Sequence, residues 1–400
     1  MQVIVAGGGP AGAVAAEKLA SAGIRTIIFE RNFKGDKTCA GGIPSALVKD
    51  FAVPDEIIHR KCRKVRFHGP SGISVEMDFP DNGYLATVRR IEFDTFLRNR
   101  AMERGAILEE KEVLSFELHN EGVKVKYRTE DRMYWATADY LIGAGGAVSR
   151  IARTLQSSRL SYVATLQEYI RPTLGGMRHW QDTAELYYSS KVSPDYYGWI
   201  FPHRDYIALG VGVHFQYAKD IRQYLENLKG LNKQWLEGSQ MIIRGSAPIP
   251  FTHFADPAKK RVFLVGDAAG FVIPGSGEGI YYAMKSGLFA AEAIIASMRE
   301  HHSNPEFMYN QRCEREFRKS FNYFKRIEKL AFKNDFTREL FVRYTACPGA
   351  TDNFLNMFSL KTKKRKSGPI RKIRMIAALN RIRAEMKKEG LKFHIDISKL

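Results

Sequence analysis

Hydrophobic and polar positions follow two periods along this chain, and the switches between them divide it. Val3, Ile4 and Val5 form a short, continuously apolar run, the pattern of a strand buried on both faces. Residues 13–19 have helical composition, and residues 26–29 make a second apolar strand that delivers Glu30. Alternating runs at 64–67 and 73–77 predict half-buried strands, and a helix opens after Val88 and runs through Arg104. Four strands follow at 113–118, 123–127, 133–138 and 140–142. From about residue 155 to 250 the strands lengthen and carry Tyr187, Tyr188, Tyr196, Tyr197, Trp199, Phe201 and Tyr206, with Pro194 and Pro202 as breakers. Residues 261–265 restore the buried-strand pattern, 280–298 predict a helix, and 305–343 are charged and helical.

The turn between the first strand and helix carries chemistry. Gly7, Gly9 and Gly12 stand at G-x-G-x-x-G spacing, and Glu30 follows the last of them by eighteen residues. In a strand–turn–helix, Gly7 permits the tight turn, Gly9 admits a pyrophosphate to the backbone, and Gly12 lets helix pack on strand. Glu30 is placed to accept from ribose hydroxyls, and its charge disfavours a 2′-phosphate. Dinucleotide binding follows, FAD or NAD. Three later stretches look like further walls of that site. Residues 39–44, Cys-Ala-Gly-Gly-Ile-Pro, leave the nucleotide fold with two glycines suited to close backbone approach. Gly266-Asp267-Ala268-Ala269-Gly270 ends a buried strand, where open α/β sheets bind ligands. Gly277 and Gly279 precede a helix and expose N–H groups to a flavin oxygen or a phosphate. Arg90, at a helix start, suits a phosphate or ribose or else is merely solvated. The aromatic stretch is either the wall of an apolar pocket or a sheet core.

Composition narrows the class. Hydrophobic residues make up 44% and charged residues 26%, a globular balance. The four cysteines include no C-x-x-C pair, which argues against a zinc site or disulfide framework and suits a reducing cytoplasm. No apolar run is long enough for a transmembrane helix, and the first strand leaves no room for a signal peptide. The formal charge of +19 is concentrated at the end, where residues 361–400 hold fourteen Lys or Arg against three acids. Ile370, Ile373, Ile376, Leu379, Ile382 and Met386 recur there at helical spacing. That pattern fits a basic amphipathic helix lying on an anionic membrane surface, or one packing its stripe on its own domain. With Phe393 its only aromatic, the tail is a poor nucleic-acid reader.

The motifs and their order resemble the FAD-dependent geranylgeranyl reductase family, within the wider para-hydroxybenzoate-hydroxylase-like flavoproteins. The likeness spans residues 1 to about 345 and is nearest to chlorophyll and bacteriochlorophyll geranylgeranyl reductases. It rests on the C-x4-P loop at Cys39–Pro44, the Y-x-W-x-F-P stretch Tyr197, Trp199, Phe201 and Pro202, and the second flavin fingerprint from Gly266 to Gly270 with Ser276 to Tyr281. The resemblance implies an α/β fold: a Rossmann-like FAD domain (1–155 plus 245–300) and an inserted, mainly antiparallel β substrate domain (60–90 and 156–244). A helical region (301–360) follows, and the basic tail (361–400) is a segment the resemblance does not match. It implies that Gly7, Gly9, Gly12, Glu30, Arg90, Gly266, Asp267, Gly277 and Gly279 hold FAD. Tyr197, Trp199, Phe201 and Pro202 would line a lipid pocket. The chain departs from the family at Gly145, where an Asp is usual, which bears on FAD affinity.

The implied reaction saturates C=C bonds of a geranylgeranyl chain on an isoprenoid lipid or pigment, by hydride from the flavin plus a proton. Such alkenes lack a conjugated carbonyl, so alignment in an apolar pocket must contribute much of the catalysis. Cys39 is the first candidate proton donor, with water an equal alternative, and Glu278 is the second. Cys39 is otherwise a small buried filler, and Glu278 otherwise a helix-dipole partner. No second G-x-G-x-x-G unit is present, so NADPH or NADH would bind transiently or another carrier would reduce the flavin. Two other classes share the fingerprints. A flavin monooxygenase or halogenase would need a catalytic lysine, absent from residues 39–44, and a flavoprotein electron carrier would need no pocket.

Overall fold

Val3, Ile4 and Val5 have no solvent exposure because strands flank them on both sides. In this computed structural model, which describes residues 1–79, 82–119, 122–299, 304–347 and 369–390, strand Gln2–Ala6 pairs in parallel with Arg25–Glu30 and with Tyr140–Gly143. Ile107–Glu110 extends the sheet on one side, and Val262–Leu264 with antiparallel Ala258–Lys259 extends it on the other. Helices Pro10–Ser21, Arg90–Glu103 and Ile280–Arg299 pack around the first glycine turn. The chain thus returns to this sheet three times, with everything else inserted.

The second body is a seven-stranded sheet in the order Gln240–Pro250, Tyr162–Arg171, Ile207–His214, Gly198–Pro202, Thr183–Tyr187, Lys64–His68, Ser74–Asp78. Every pairing is antiparallel except Thr183–Tyr187 with Lys64–His68. Gly42–Pro44, Arg60–Cys62 and Leu85–Thr87 form a small sheet between the two bodies, and residues 112–138 form an antiparallel three-stranded one. The boundary expected at residue 245 moves. Strand Gln240–Pro250 pairs along nearly its whole length with Tyr162–Arg171, so residues 245–250 belong to the inserted sheet.

Helices Pro305–Ala331 and Asp335–Thr345 close the far side. Arg338, fully buried, donates to the carbonyls of Pro194 and Phe332 and pairs with Asp335. Glu339 accepts from the Ser71 hydroxyl at 2.7 Å. The C-terminal helix spans Pro369–Lys388. Its Ile382 and Met386 are buried against Leu340 and Cys347, and Arg343 pairs with Glu389. For these two residues the stripe packs on its own domain, the second of the two alternatives. The side chains of Ile370, Ile373, Ile376 and Leu379 lie outside the described residues. No helix among the described residues is long and apolar enough to cross a membrane.

Candidate functional site

The cradle is built from what its glycines leave out. Gly7 has φ +119°, and a Cβ on it would stand 2.4 Å from the Ala144 carbonyl oxygen. Gly12 lies against the same turn, and a Cβ there would be 1.9 Å from the Gly7 oxygen. The first helix therefore touches the strand turn backbone to backbone. Gly9 differs: a Cβ on it meets nothing within 4 Å, and the residue borders a cavity of about 630 Å³. That is the open approach a pyrophosphate requires. Glu30 borders the cavity too, with one carboxylate oxygen accepting from Gly8 N–H at 2.7 Å and the other from Asn32 N–H at 3.0 Å. The glutamate thus ties down the glycine turn while facing the ribose position.

Arg90 borders the cavity with its charge met by Asp94 in two 2.9 Å bonds. Two turns further along the helix sits Arg98, 5% exposed, which sequence reasoning missed. It donates to the carbonyl of Phe33 at 3.0 Å and to that of Gly8 at 3.4 Å, so it braces the turn while bordering the same cavity. The Arg90–Asp94–Arg98 spacing, one residue per helical turn on one face, was the available signal.

Opposite the cradle, Gly266 and Asp267 border the same cavity, and Asp267 pairs with Lys37 at 3.6 Å. Lys37 lies two residues ahead of the loop searched for a lysine. Gly277 has φ +66°, and a Cβ on it would come within 2.8 Å of the Tyr196 hydroxyl. Gly277 and Gly279 both face the cavity, as does Glu278 between them. The Glu278 carboxylate accepts from the Tyr281 N–H at 2.9 Å, capping the helix, and burial pushes its pKa up to about 7. The side chain caps the helix and holds its proton near neutrality.

The Cys39 loop is held by the inserted sheet. Tyr169 donates its hydroxyl to the Cys39 carbonyl at 3.0 Å. His203 Nε2 lies 3.0 Å from the Ala40 carbonyl, and burial pushes the imidazole down to about 3, so the ring is neutral and the nitrogen facing the carbonyl carries its hydrogen. The thiol accepts from Gly41 N–H at 3.4 Å and stands beside Arg90. Neither Tyr169 nor His203 was legible as a loop anchor, because each acts through a backbone oxygen more than a hundred residues away.

Tyr197, Trp199 and Phe201 border the apolar end of the cavity, and Tyr197 donates to the Ser276 carbonyl at 2.5 Å. Their rings stand where glycines make room. A Cβ on Gly210 would lie 2.5 Å from the Trp199 ring, one on Gly212 2.6 Å from Tyr196, and one on Gly42 2.7 Å from Phe201. Pro202 is not among the cavity-lining residues, contrary to expectation. It ends its strand with its carbonyl accepting the Thr87 hydroxyl at 2.7 Å, so its part is to join the sheets. Gly12 is likewise behind the wall, as helix packing demands. Gly145 borders the cavity, and a Cβ there would be 3.3 Å from Ser149 Oγ, which caps the next helix. No group of three or more His, Cys, Asp or Glu able to hold a metal occurs among the described residues.

One continuous cavity thus joins a dinucleotide cradle to an aromatic chamber, and the open face at Gly9 fits FAD. Residues 1–169 match the FAD binding domain family. A geranylgeranyl diphosphate reductase of Synechocystis is 35% identical over 358 residues, covering 86% of this chain and 88% of the relative. The chloroplastic geranylgeranyl diphosphate reductase of Arabidopsis thaliana is 35% identical, over 86% of this chain and 76% of the relative. Digeranylgeranylglycerophospholipid reductase 2 of Methanopyrus kandleri is 30% identical, over 82% and 86%. Among solved structures, a geranylgeranyl bacteriochlorophyll reductase-like protein from Thermoplasma acidophilum superposes with a TM-score of 0.76 at 20% identity, over 97% of this chain and 98% of that one. A flavin-dependent brominase reaches the same TM-score at 16% identity, so fold alone does not separate reduction from halogenation.

Proposed function

This chain belongs to the geranylgeranyl reductase family of FAD-binding proteins, and on that premise we propose that it saturates C=C bonds of a geranylgeranyl chain held against FAD. The observation that carries the reading is the single cavity bordered both by Gly9, Glu30 and Asp267 and by Tyr197, Trp199 and Phe201. Gly7, Gly9, Glu30, Arg90, Gly266, Asp267, Gly277 and Gly279 hold the cofactor, and Gly12 seats the helix behind it. Bound FAD supplies the hydride. The protein's own contribution is alignment. Tyr197, Trp199 and Phe201 exclude water and fix the alkene, which has no polar handle of its own. Glu278, carrying its proton near neutral pH, and the Cys39 thiol are the side chains able to deliver or relay the second proton, with water the alternative donor. NADPH is the proposed reductant of the flavin.

The relatives are named for two kinds of substrate, a free diphosphate and a glycerophospholipid. Anaerobic incubation of the reduced holoprotein with geranylgeranyl diphosphate, a geranylgeranylated pigment and a geranylgeranyl glycerolipid, each alone, tests the reading. A mass gain in steps of two hydrogens on one of them is the expected result, and no gain on any refutes it. For membrane attachment, Ile382 and Met386 are already engaged with the protein, which leaves the basic run 361–366 as the docking element. Replacing its five Lys and Arg by Gln should reduce co-sedimentation with anionic vesicles and leave FAD content unchanged. Equal sedimentation would remove the membrane from the account.

A further inference from the structure

Strand Tyr162–Arg171 presents Thr165, Gln167 and Tyr169 on one face, because alternate residues of a strand share a side. Two of these polar groups are satisfied within the protein. The Thr165 hydroxyl donates to the Ala247 carbonyl at 2.7 Å, and the Tyr169 hydroxyl donates to Cys39 O at 3.0 Å. Gln167 lies between them, borders the cavity and is 2% exposed. Its Oε1 accepts from the Trp199 indole at 2.9 Å. An indole N–H can only donate, so the amide oxygen must face Trp199 and the NH2 group must turn away from it. That Nε2 is buried and has no hydrogen-bond partner among the described residues.

A buried amide with both donors unused is costly, and an isoprenoid chain offers no acceptor to relieve it. An acceptor entering the cavity, a water or an atom of the bound cofactor, is what would satisfy it. We propose that Gln167 is a positioning residue that holds a water molecule between Trp199 and the Cys39 loop, and that this water protonates the alkene. The inference rests on the reductase reading. In the step, hydride from reduced FAD adds to one alkene carbon and a proton from the water adds to the other. Two electrons leave the flavin, and solvent entering the cavity mouth returns the proton to the water. Trp199 then has two functions, an apolar wall on its ring face and a lock on the amide through its N–H.

Three measurements test this. A high-resolution crystal structure of the FAD-bound protein should show an ordered water about 3 Å from Nε2, and a dry wall or a protein partner there overturns the proposal whatever the protein's substrate. Gln167→Met keeps the volume and removes the donor. Its FAD content and KM should match wild type while anaerobic flavin reoxidation by substrate slows about tenfold or more, and an unchanged rate contradicts the proposal. Trp199→Phe frees the amide, and adding it to Gln167→Met should cost much less than its effect alone, a non-additivity that two independent wall residues would not show. Loss of FAD in both Gln167→Met and Gln167→Asn would assign the glutamine to the fold and overturn the idea. If wild type reduces no isoprenoid, the function reading fails separately, and the water is still decided by the crystal.

Discussion

The two ends of the cavity are built by opposite means. At the nucleotide end, backbone meets backbone: Gly12 stands on the Gly7 oxygen, Gly7 against Ala144, and Gly9 faces open space. At the aromatic end, side chains fill the wall, and glycines serve as sockets for rings, Gly210 for Trp199 and Gly212 for Tyr196. A backbone surface suits a cofactor rich in acceptors, because N–H groups bind phosphate without side-chain entropy. A ring surface suits a hydrocarbon, which is held by area and shape alone. The difference also sets tolerance, since backbone cannot move aside whereas a ring can repack at some cost.

The comparison can be broken at four points. The largest effect belongs to Gly12→Val, which puts a side chain into a backbone oxygen and should cost more than about 4 kcal/mol. Loss of FAD and of cooperative thermal unfolding would be seen together, and a folded, flavin-loaded variant would contradict the packing. Glu278 follows. Its pKa is raised to about 7 in the folded protein against 4.5 unfolded, so the folded state binds the proton more tightly. Its contribution is present at low pH and is lost as pH rises from about 4.5 to about 7, amounting to roughly 3 kcal/mol. Glu328, also raised to about 7 by burial, adds a parallel slope. Melting temperature against pH should therefore flatten partly in Glu278→Gln, and an unaltered profile would show the carboxyl is not held neutral.

Gly210→Ala intrudes on the Trp199 ring and should cost about 1–3 kcal/mol. Here the two ends should separate: FAD content stays, and KM for the isoprenoid rises or turnover falls. Parallel loss of flavin would mean the ends are not independent. The smallest effect is that of Arg98→Met, which removes the brace on Gly8 at the cavity wall and should weaken FAD about tenfold, or 1.4 kcal/mol, without altering KM. Titration of the apoprotein with FAD checks it, and unchanged affinity would reduce Arg98 to a packing residue.

The same contrast explains what the sequence disclosed. The motif from Gly7 to Glu30 is legible because one turn and its flanking strands lie within thirty consecutive residues, and local geometry dictates the spacing. The parallel sheet and the aromatic stretch are legible through hydrophobic period. The sockets are not, because the reason for Gly210 is a ring on another strand and depends on the pairing of Trp199 with Gly210. Tyr169 and Gln167, polar residues in a strand, and His203, just past the end of one, stay hidden for a related reason, their partners being fixed only by the tertiary fold. Pro202 shows the converse error. It stands inside a recognisable stretch yet points its function at Thr87, not at the cavity. The tail was half legible, its apolar period being real but the choice between protein and membrane resting on Leu340 and Cys347.

The central claim is that one cavity brings reduced FAD and a geranylgeranyl alkene together. An anaerobic single turnover measures it directly, by mixing the stoichiometrically reduced holoprotein with the substrate that gains mass and following flavin absorbance and product mass together. The account predicts one oxidised flavin for each pair of hydrogens gained, with deuterium from D2O at one carbon of the former double bond. Flavin that stays reduced until oxygen is admitted, with the isoprenoid unchanged or oxygenated, would contradict it.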